Sequence, residues 1–186
     1  LCPTRELALQ TAGELKKLSR YRRGLSILPV YGGAPIERQM RALRDGVQVV
    51  VGTPGRVMDH MRRGTVDFSG IHVVVLDEAD EMLDMGFRDD IQTILEGTPE
   101  DRQTVLFSAT MPRPILNLAK RYQKNPMHIE IARKEMTVEK IDQSYISVRS
   151  FHKVELLSRL LVRDDIHLAL VFCNTKKCVE EVVTQL

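Results

Sequence analysis

Long apolar runs are the first thing this sequence lacks. No uninterrupted stretch is long enough to cross a bilayer and no signal peptide is visible, so no membrane association is expected. An excess of charge of one sign is missing too: 27 Lys and Arg against 25 Asp and Glu leave a net charge of +2. That balance gives no general pull on a polyanion, so any nucleic-acid surface must come from local placement of basic residues. Cysteine is scarce. Cys2, Cys173 and Cys178 are odd in number and lack metal or redox spacing, which fits free thiols in a reducing, cytoplasmic compartment. The five histidines are scattered with no ligand pattern, and neither a solenoid repeat nor a low-complexity tract occurs. The chain opens on Leu rather than Met, and a fragment of a longer protein is expected.

What is present describes a globular α/β chain. Hydrophobic content of 43% with 28% charged residues allows a core to be buried, and 186 residues allow one domain or one plus part of another. The most informative stretch is Val73-Val74-Val75-Leu76-Asp77-Glu78-Ala79-Asp80. Four apolar residues without alternation read as a central strand of a parallel sheet, covered on both faces by helices. The carboxylates then emerge at its carboxyl end, the edge where open α/β sheets bind ligands. Adjacent carboxylates there suit a hard cation such as magnesium; a solvated acidic turn is the competing reading.

The same theme repeats along the chain. Leu1-Cys2 reads as the tail of a strand, followed by a helix carrying Leu7, Thr11, Leu15 and Leu18. Ile27 to Tyr31 is a strand ending in Gly32-Gly33, and its internal proline marks an edge or irregularity. A helix opened by Pro35 places Ile36, Met40 and Leu43 on one face. Val47 to Val51 is a strand ending in Gly52-Thr53-Pro54-Gly55-Arg56, before a short helix with Val57 and Met61. After the acidic strand come a helix with Phe87, Ile91, Ile94 and Leu95, the strand Thr104 to Phe107, and a helix with Ile115, Leu118 and Tyr122. A charged segment from Ala132 to Asp142 reads as a linker. Beyond it, strands at Ser144 to Val148 and Leu168 to Phe172 alternate with helices around Val154 to Leu161 and Val179 to Leu186. Strands alternating with helices indicate βαβ units and a parallel sheet.

Six of the strands end alike. Pro-Thr-Arg, Gly-Gly, Thr-Pro-Gly-Arg, Asp-Glu-Ala-Asp, Ser-Ala-Thr and Asn-Thr each follow an apolar run. Turn chemistry explains any one of these; together, on the rim of one sheet, they supply the amides, hydroxyls and arginines that hold phosphates without reading bases. In this order, Pro3-Thr4-Arg5-Glu6-Leu7-Ala8, Gly32-Gly33, Thr53-Pro54-Gly55-Arg56, Asp77-Glu78-Ala79-Asp80 and Ser108-Ala109-Thr110 resemble motifs Ia, GG, Ib, II and III of the DEAD-box ATP-dependent RNA helicases. Val171-Phe172-Cys173-Asn174-Thr175 resembles motif IV. The segments Met82 to Phe87 and Gln103 to Pro112 are most similar to bacterial, cold-shock-type members.

That resemblance implies a RecA-like parallel sheet flanked by helices over residues 1–131, an interdomain linker at 132–142, and the start of a second RecA-like domain at 143–186. It implies ATP and magnesium as cofactors and RNA as partner. Asp77 would hold magnesium through water, and Glu78 would position or activate the attacking water. Asp80, tied to Ser108 and Thr110, would link the nucleotide site to closure of two domains. Pro3, Thr4, Arg5, Gly32, Gly33, Thr53, Pro54, Gly55, Arg56, Gly86 and Phe87 would lie along the RNA backbone, with Thr175 adding a contact from the second domain. RNA target, ribosome and RNA-degradation assembly partners stay unspecified. The chain has no Gly-x-x-x-x-Gly-Lys-Ser/Thr, which the family places before Pro3 with its Q motif; motifs V and VI would follow Leu186. The isolated 186-residue chain is therefore expected to lack ATPase and unwinding activity. A catalytically silent RNA-binding or scaffold fragment is the alternative. A DNA-directed helicase or another P-loop ATPase is a third reading.

Overall fold

The computed structural model describes residues 1–131, 141–163 and 166–186. Chain contacts divide it into two units, Leu1–Ile129 and Glu130–Leu186. In the first unit, α1 (Arg5–Leu18) leads to β1 (Ile27–Val30), α2 (Ile36–Arg44), β2 (Val49–Gly52) and α3 (Pro54–Arg62). Then follow β3 (Val73–Leu76), α4 (Ala79–Asp84), α5 (Arg88–Glu96), β4 (Gln103–Leu106) and α6 (Arg113–Tyr122). β1 pairs in parallel with β2, and β3 in parallel with β4.

Leu1-Cys2 joins the two pairs. The Cys2 amide donates to the Gly52 carbonyl at 2.9 Å, the Leu1 amine to the Val75 carbonyl at 2.6 Å, and the Asp77 amide to the Leu1 carbonyl at 2.9 Å. The last two bonds reproduce the slanted ladder of parallel strands. The resulting order is β1, β2, Leu1-Cys2, β3, β4.

Two layers of helices cover this sheet unequally. On one face, Val74, Leu76, Ala79, Met82, Ile91, Leu95, Ile115 and Leu118 form a core under α4, α5 and α6, continued by Val30, Val57, Met58 and Ile94 beneath α3. Each large apolar side chain fully buried there contributes about 1.5–3 kcal/mol. On the other face α1 packs Ala8 and Ala12 against Cys2, Ile27 and Val51. Gly52 is required where β2 turns into α3: a Cβ there would lie 2.6 Å from Val57 Cγ2 and 2.9 Å from the Val30 carbonyl.

Several sequence expectations need correction. β3 is covered on one face only, with Val74 and Leu76 buried while Val73 (50% exposed) and Val75 (38%) face out. An apolar run without alternation fits burial on both faces, but α1 reaches only as far as β1, β2 and Cys2. α4 was not expected, and Phe107 lies one residue past β4, exposed. In the second unit a 3₁₀ turn at Ser150–His152 precedes α7 (Lys153–Arg163), and α8 spans Lys176–Gln185. The expected strands at 144–148 and 168–172 are not formed, because a strand needs a ladder partner and none pairs there among the described residues. Residues 132–140 of the expected linker lie outside the described residues.

β4 carries no neighbour on its outer edge among the described residues, and the Val73, Val75 and Phe107 side chains are uncovered. An open edge beside apolar surface templates pairing with other chains. The isolated 186-residue chain is expected to sediment as dimers or larger species, and Val73→Lys with Val75→Lys to shift it toward monomer. A clean monomer from the unaltered chain in sedimentation velocity would contradict this.

Candidate functional site: a rim of strand ends

Parallel strands place their carboxyl ends together, and five of the sequence-predicted segments meet on that rim. Pro3 to Arg5 follow Leu1-Cys2, Gly32-Gly33 follow β1, and Thr53 to Arg56 follow β2. Asp77 to Asp80 follow β3, and Ser108 to Thr110 follow β4. Phe87 is drawn to the same region: a Cβ on Gly55 would lie 4.0 Å from Phe87 Cε1. Gly86 precedes it with φ +86. Thr175 belongs to the second unit, where its hydroxyl caps α8 by accepting from the Cys178 amide at 3.2 Å.

The acidic turn is held from both sides. The amide of Asp77 donates to Leu1, and the amide of Ala79 donates to the Phe107 carbonyl at 3.0 Å. Between these anchors Glu78 adopts φ 51, ψ 53, the left-handed region, as the residue preceding α4. A non-glycine residue there costs about 1–2 kcal/mol, and such strain persists only where surrounding bonds over-determine it. The backbone at Glu78 is thereby fixed, and the residue is exposed beside Asp77.

Asp80 is locked to the end of β4. Its Oδ2 accepts from the Thr110 amide at 2.9 Å and from the Thr110 hydroxyl at 2.8 Å, while the Ser108 hydroxyl donates to the Thr110 carbonyl at 2.6 Å. Partial burial pulls the Asp80 pKa upward, but hydrogen bonds from Thr110 and Ser108 outweigh it and hold the carboxyl below its ordinary range. The clamp is therefore fully charged at neutral pH and is lost only as pH falls through that depressed value.

The basic half of the rim is built on a buried polar hub that sequence reasoning missed. Gln39 of α2 is 5% exposed; its Nε2 donates to the Tyr31 carbonyl at 3.1 Å. Its Oε1 accepts from Arg56 Nη1 at 3.3 Å and faces His60 Nε2 at 3.0 Å. Arg56 Nη1 also donates to the Ala34 carbonyl at 3.1 Å. Because Gln39 Oε1 can only accept, His60 carries its proton on Nε2, and its Nδ1 lies 2.7 Å from the Thr65 hydroxyl, which also donates to the His60 carbonyl at 3.1 Å. Burial and then the Arg56 charge depress the His60 pKa. The loop after β1 and the start of α3 are thus tied through one amide.

Arg5 is exposed, with its guanidinium carbon 5.2 Å from the Tyr31 ring centroid. Gly33 beside it has φ +82, a conformation that favours glycine, and a Cβ there would lie 3.5 Å from Arg5 Nη1. Thr4 caps α1, its hydroxyl accepting from the Leu7 amide at 3.2 Å. Among the described residues no three His, Cys, Asp or Glu side chains converge as a metal cage. Asp77 and Glu78 alone fit the manner in which magnesium is held, by one or two carboxylates with water and phosphate completing the shell.

Residues 1–118 match the family model for the DEAD/DEAH box helicases. The chain belongs to that family. It is 50% identical over all 186 residues to the DEAD-box ATP-dependent RNA helicase CshA of Geobacillus kaustophilus, covering 40% of that protein. Against CshA of Bacillus subtilis it is 47% identical, covering 37%. The crystal structure of a DEAD box protein from the hyperthermophile Methanococcus jannaschii is similar over 98% of this chain and 49% of that one, with TM-score 0.67 and 42% identity. These relatives bear out the resemblance read from the motifs and its bacterial, cold-shock-type leaning, and they place the parallel sheet in the RecA-like fold of DEAD-box proteins. The chain spans about two fifths of the length of the CshA relatives it matches.

Proposed function

We propose that the protein carrying this chain is an ATP-dependent RNA helicase that separates short RNA duplexes by RNA-stimulated ATP hydrolysis. The observation that carries this is the acidic turn itself: a strained, exposed Glu78 beside Asp77, joined through Asp80 to Ser108-Ala109-Thr110, on the rim of a DEAD-box fold. When bound, ATP with magnesium supplies the phosphoanhydride and neutralises charge on its phosphates. Asp77 would hold the magnesium through water, and the Glu78 carboxylate would orient the attacking water and take its proton. Asp80 transmits changes at the nucleotide to the β4 end through its two bonds from Thr110.

The other half of the rim holds the RNA backbone. Arg5 presents its charge from a position set by Tyr31, and Thr4, Gly32, Gly33, Thr53, Pro54 and Gly55 offer small or hydroxyl-bearing surfaces for close approach. Arg56 acts through the hub with Gln39 and by its remaining donors. Gly86 and Phe87 extend this surface, and Thr175, in the second unit, supplies a phosphate contact of its own. Such contacts tolerate any sequence, since phosphates carry no base identity, and RNA is preferred through its 2′-hydroxyl and shape. Residues 1–131 form most of the first helicase domain, 132–142 the linker and 143–186 the start of the second. A cytoplasmic location suits free thiols, and no described helix is long and apolar enough to cross a membrane.

The reading is tested on the full-length protein with ATP and magnesium. Hydrolysis stimulated by RNA and not by DNA of the same sequence, and lost in Asp77→Asn, is expected. Equal stimulation by DNA would favour the DNA-directed alternative, and RNA binding without hydrolysis the silent scaffold.

A further inference from the structure

The most basic stretch of the chain is on neither half of the rim. Lys16, Lys17, Arg20, Arg22 and Arg23 place five cations within eight residues, with Leu18, Ser19 and Tyr21 between them. The segment ends α1 and forms the turn before β1. Since α1 starts at the rim and runs for 14 residues, its far end lies about 21 Å away, at the amino edge of the sheet.

Helix electrostatics explains only part of this cluster. Lys16 and Lys17 sit in the last turn of α1 and complement its carbonyl end, and Lys17 pairs with Glu14 at 2.7 Å. Arg20, Arg22 and Arg23 lie beyond that end, and among the described residues no carboxylate pairs with them. The turn is nonetheless ordered by its backbone: the Arg20 amide donates to Lys17 at 3.3 Å and the Arg22 amide to Ser19 at 2.8 Å. Tyr21 is the second, independent observation. It is 90% exposed, so it contributes nothing to the core, and the Arg20 guanidinium carbon lies 5.8 Å from its ring centroid. An exposed aromatic ring among unpaired arginines is how single-stranded nucleic acid is gripped, with charge on the backbone and a stacking platform for a base.

We propose that the turn from Lys16 to Arg23 is a second RNA contact, which takes the flank of a strand too long to be held by the rim alone. It rests on the RNA-helicase reading of the rim and adds a surface at the other edge of the sheet. The partner is a single-stranded RNA flank: Tyr21 has a use for bases and none for a purely anionic surface.

The test measures fluorescence anisotropy of uridine oligomers of about 8 and about 30 nucleotides on the full-length protein with a non-hydrolysable ATP analogue. The triple variant Arg20→Glu, Arg22→Glu, Arg23→Glu is expected to weaken the long oligomer at least tenfold and to flatten its salt dependence by about 2 in log–log slope. The short oligomer should stay within about twofold, and Tyr21→Ala should weaken the long one about fivefold or more. The triple Arg→Lys variant should retain long-oligomer binding, and melting temperatures should be unchanged because these side chains are exposed. Unchanged affinity of the long oligomer, or equal losses for both lengths, would overturn the proposal. So would variants that lose binding to anionic vesicles or an acidic polypeptide while binding both RNAs as before. Failure of the unaltered protein to bind either oligomer would instead strike the reading of the rim.

Discussion

Replacing Glu78 by glycine is expected to make the protein more stable and catalytically dead. Glu78 sits at φ 51, ψ 53, held there by the Asp77 amide on Leu1 and the Ala79 amide on Phe107. Glycine reaches that conformation without the Cβ penalty, so Glu78→Gly should recover about 1 kcal/mol, offset in part by greater chain entropy when unfolded. In thermal unfolding this is a rise of about 2–4 °C. The same change removes the carboxylate assigned to the attacking water, and RNA-stimulated hydrolysis should fall at least about a hundredfold. Glu78→Gln separates the two effects: it keeps the strained backbone and should melt like the unaltered protein while losing comparable activity. A lower melting temperature for Glu78→Gly than for Glu78→Gln would mean that the left-handed turn stores no strain.

Gln39→Leu is expected to damage both the first unit and its RNA affinity. The substitution keeps volume but leaves the Tyr31 carbonyl, His60 Nε2 and part of Arg56 without partners in a buried site. Each orphaned group costs about 1–3 kcal/mol, so a loss of about 3 kcal/mol or more is expected. RNA binding should weaken beyond the loss of folded protein, because the loop after β1 and the start of α3 are no longer held to each other. Gln39→Glu keeps the acceptor for Arg56 and His60 and should retain more RNA affinity at equal folded fraction. His60 adds a pH signature. Its folded pKa is depressed, so the unfolded chain takes up a proton first, and the stability held above the ordinary histidine value falls as pH drops below it. Melting temperatures between pH 7.5 and 5.5 should decline, and His60→Leu should lower the baseline while flattening that decline. A slope unchanged by His60→Leu would place the titration elsewhere.

The hub illustrates where sequence reading stops. Along α2 the helical period and hydropathy pointed to Ile36, Met40 and Leu43, yet the residue buried most deeply is Gln39. A buried amide is legible only once its partners are known, and Arg56 and His60 are 17 and 21 residues away. Elements fared better where the signal was local. The strands β1 to β4 and, α4 apart, the helices between them follow from apolar runs broken by Gly, Pro and Thr, and the rim follows from parallel topology. The resemblance alone implies that Asp80 is tied to Ser108 and Thr110; in the structure Thr110 makes two hydrogen bonds to Asp80, and the Ser108 hydroxyl donates to the Thr110 carbonyl.

What failed was set by neighbours. The run at Val73 to Leu76 reads as buried on both faces, but burial of Val73 and Val75 depends on an element that α1 does not provide. The apolar runs at 144–148 and 168–172 carry strand composition without a ladder partner among the described residues, and composition cannot supply one. Glu78 offers no hint of its backbone angle, because two bonds from distant strands impose it.

The most direct test of the central claim is strand separation of a short RNA duplex with a single-stranded flank by the full-length protein, followed with and without ATP. Separation that requires ATP and vanishes in Glu78→Gln, with RNA binding retained, is the predicted result. Tight RNA binding with no ATP-dependent separation, or separation unaffected by Glu78→Gln, would contradict it.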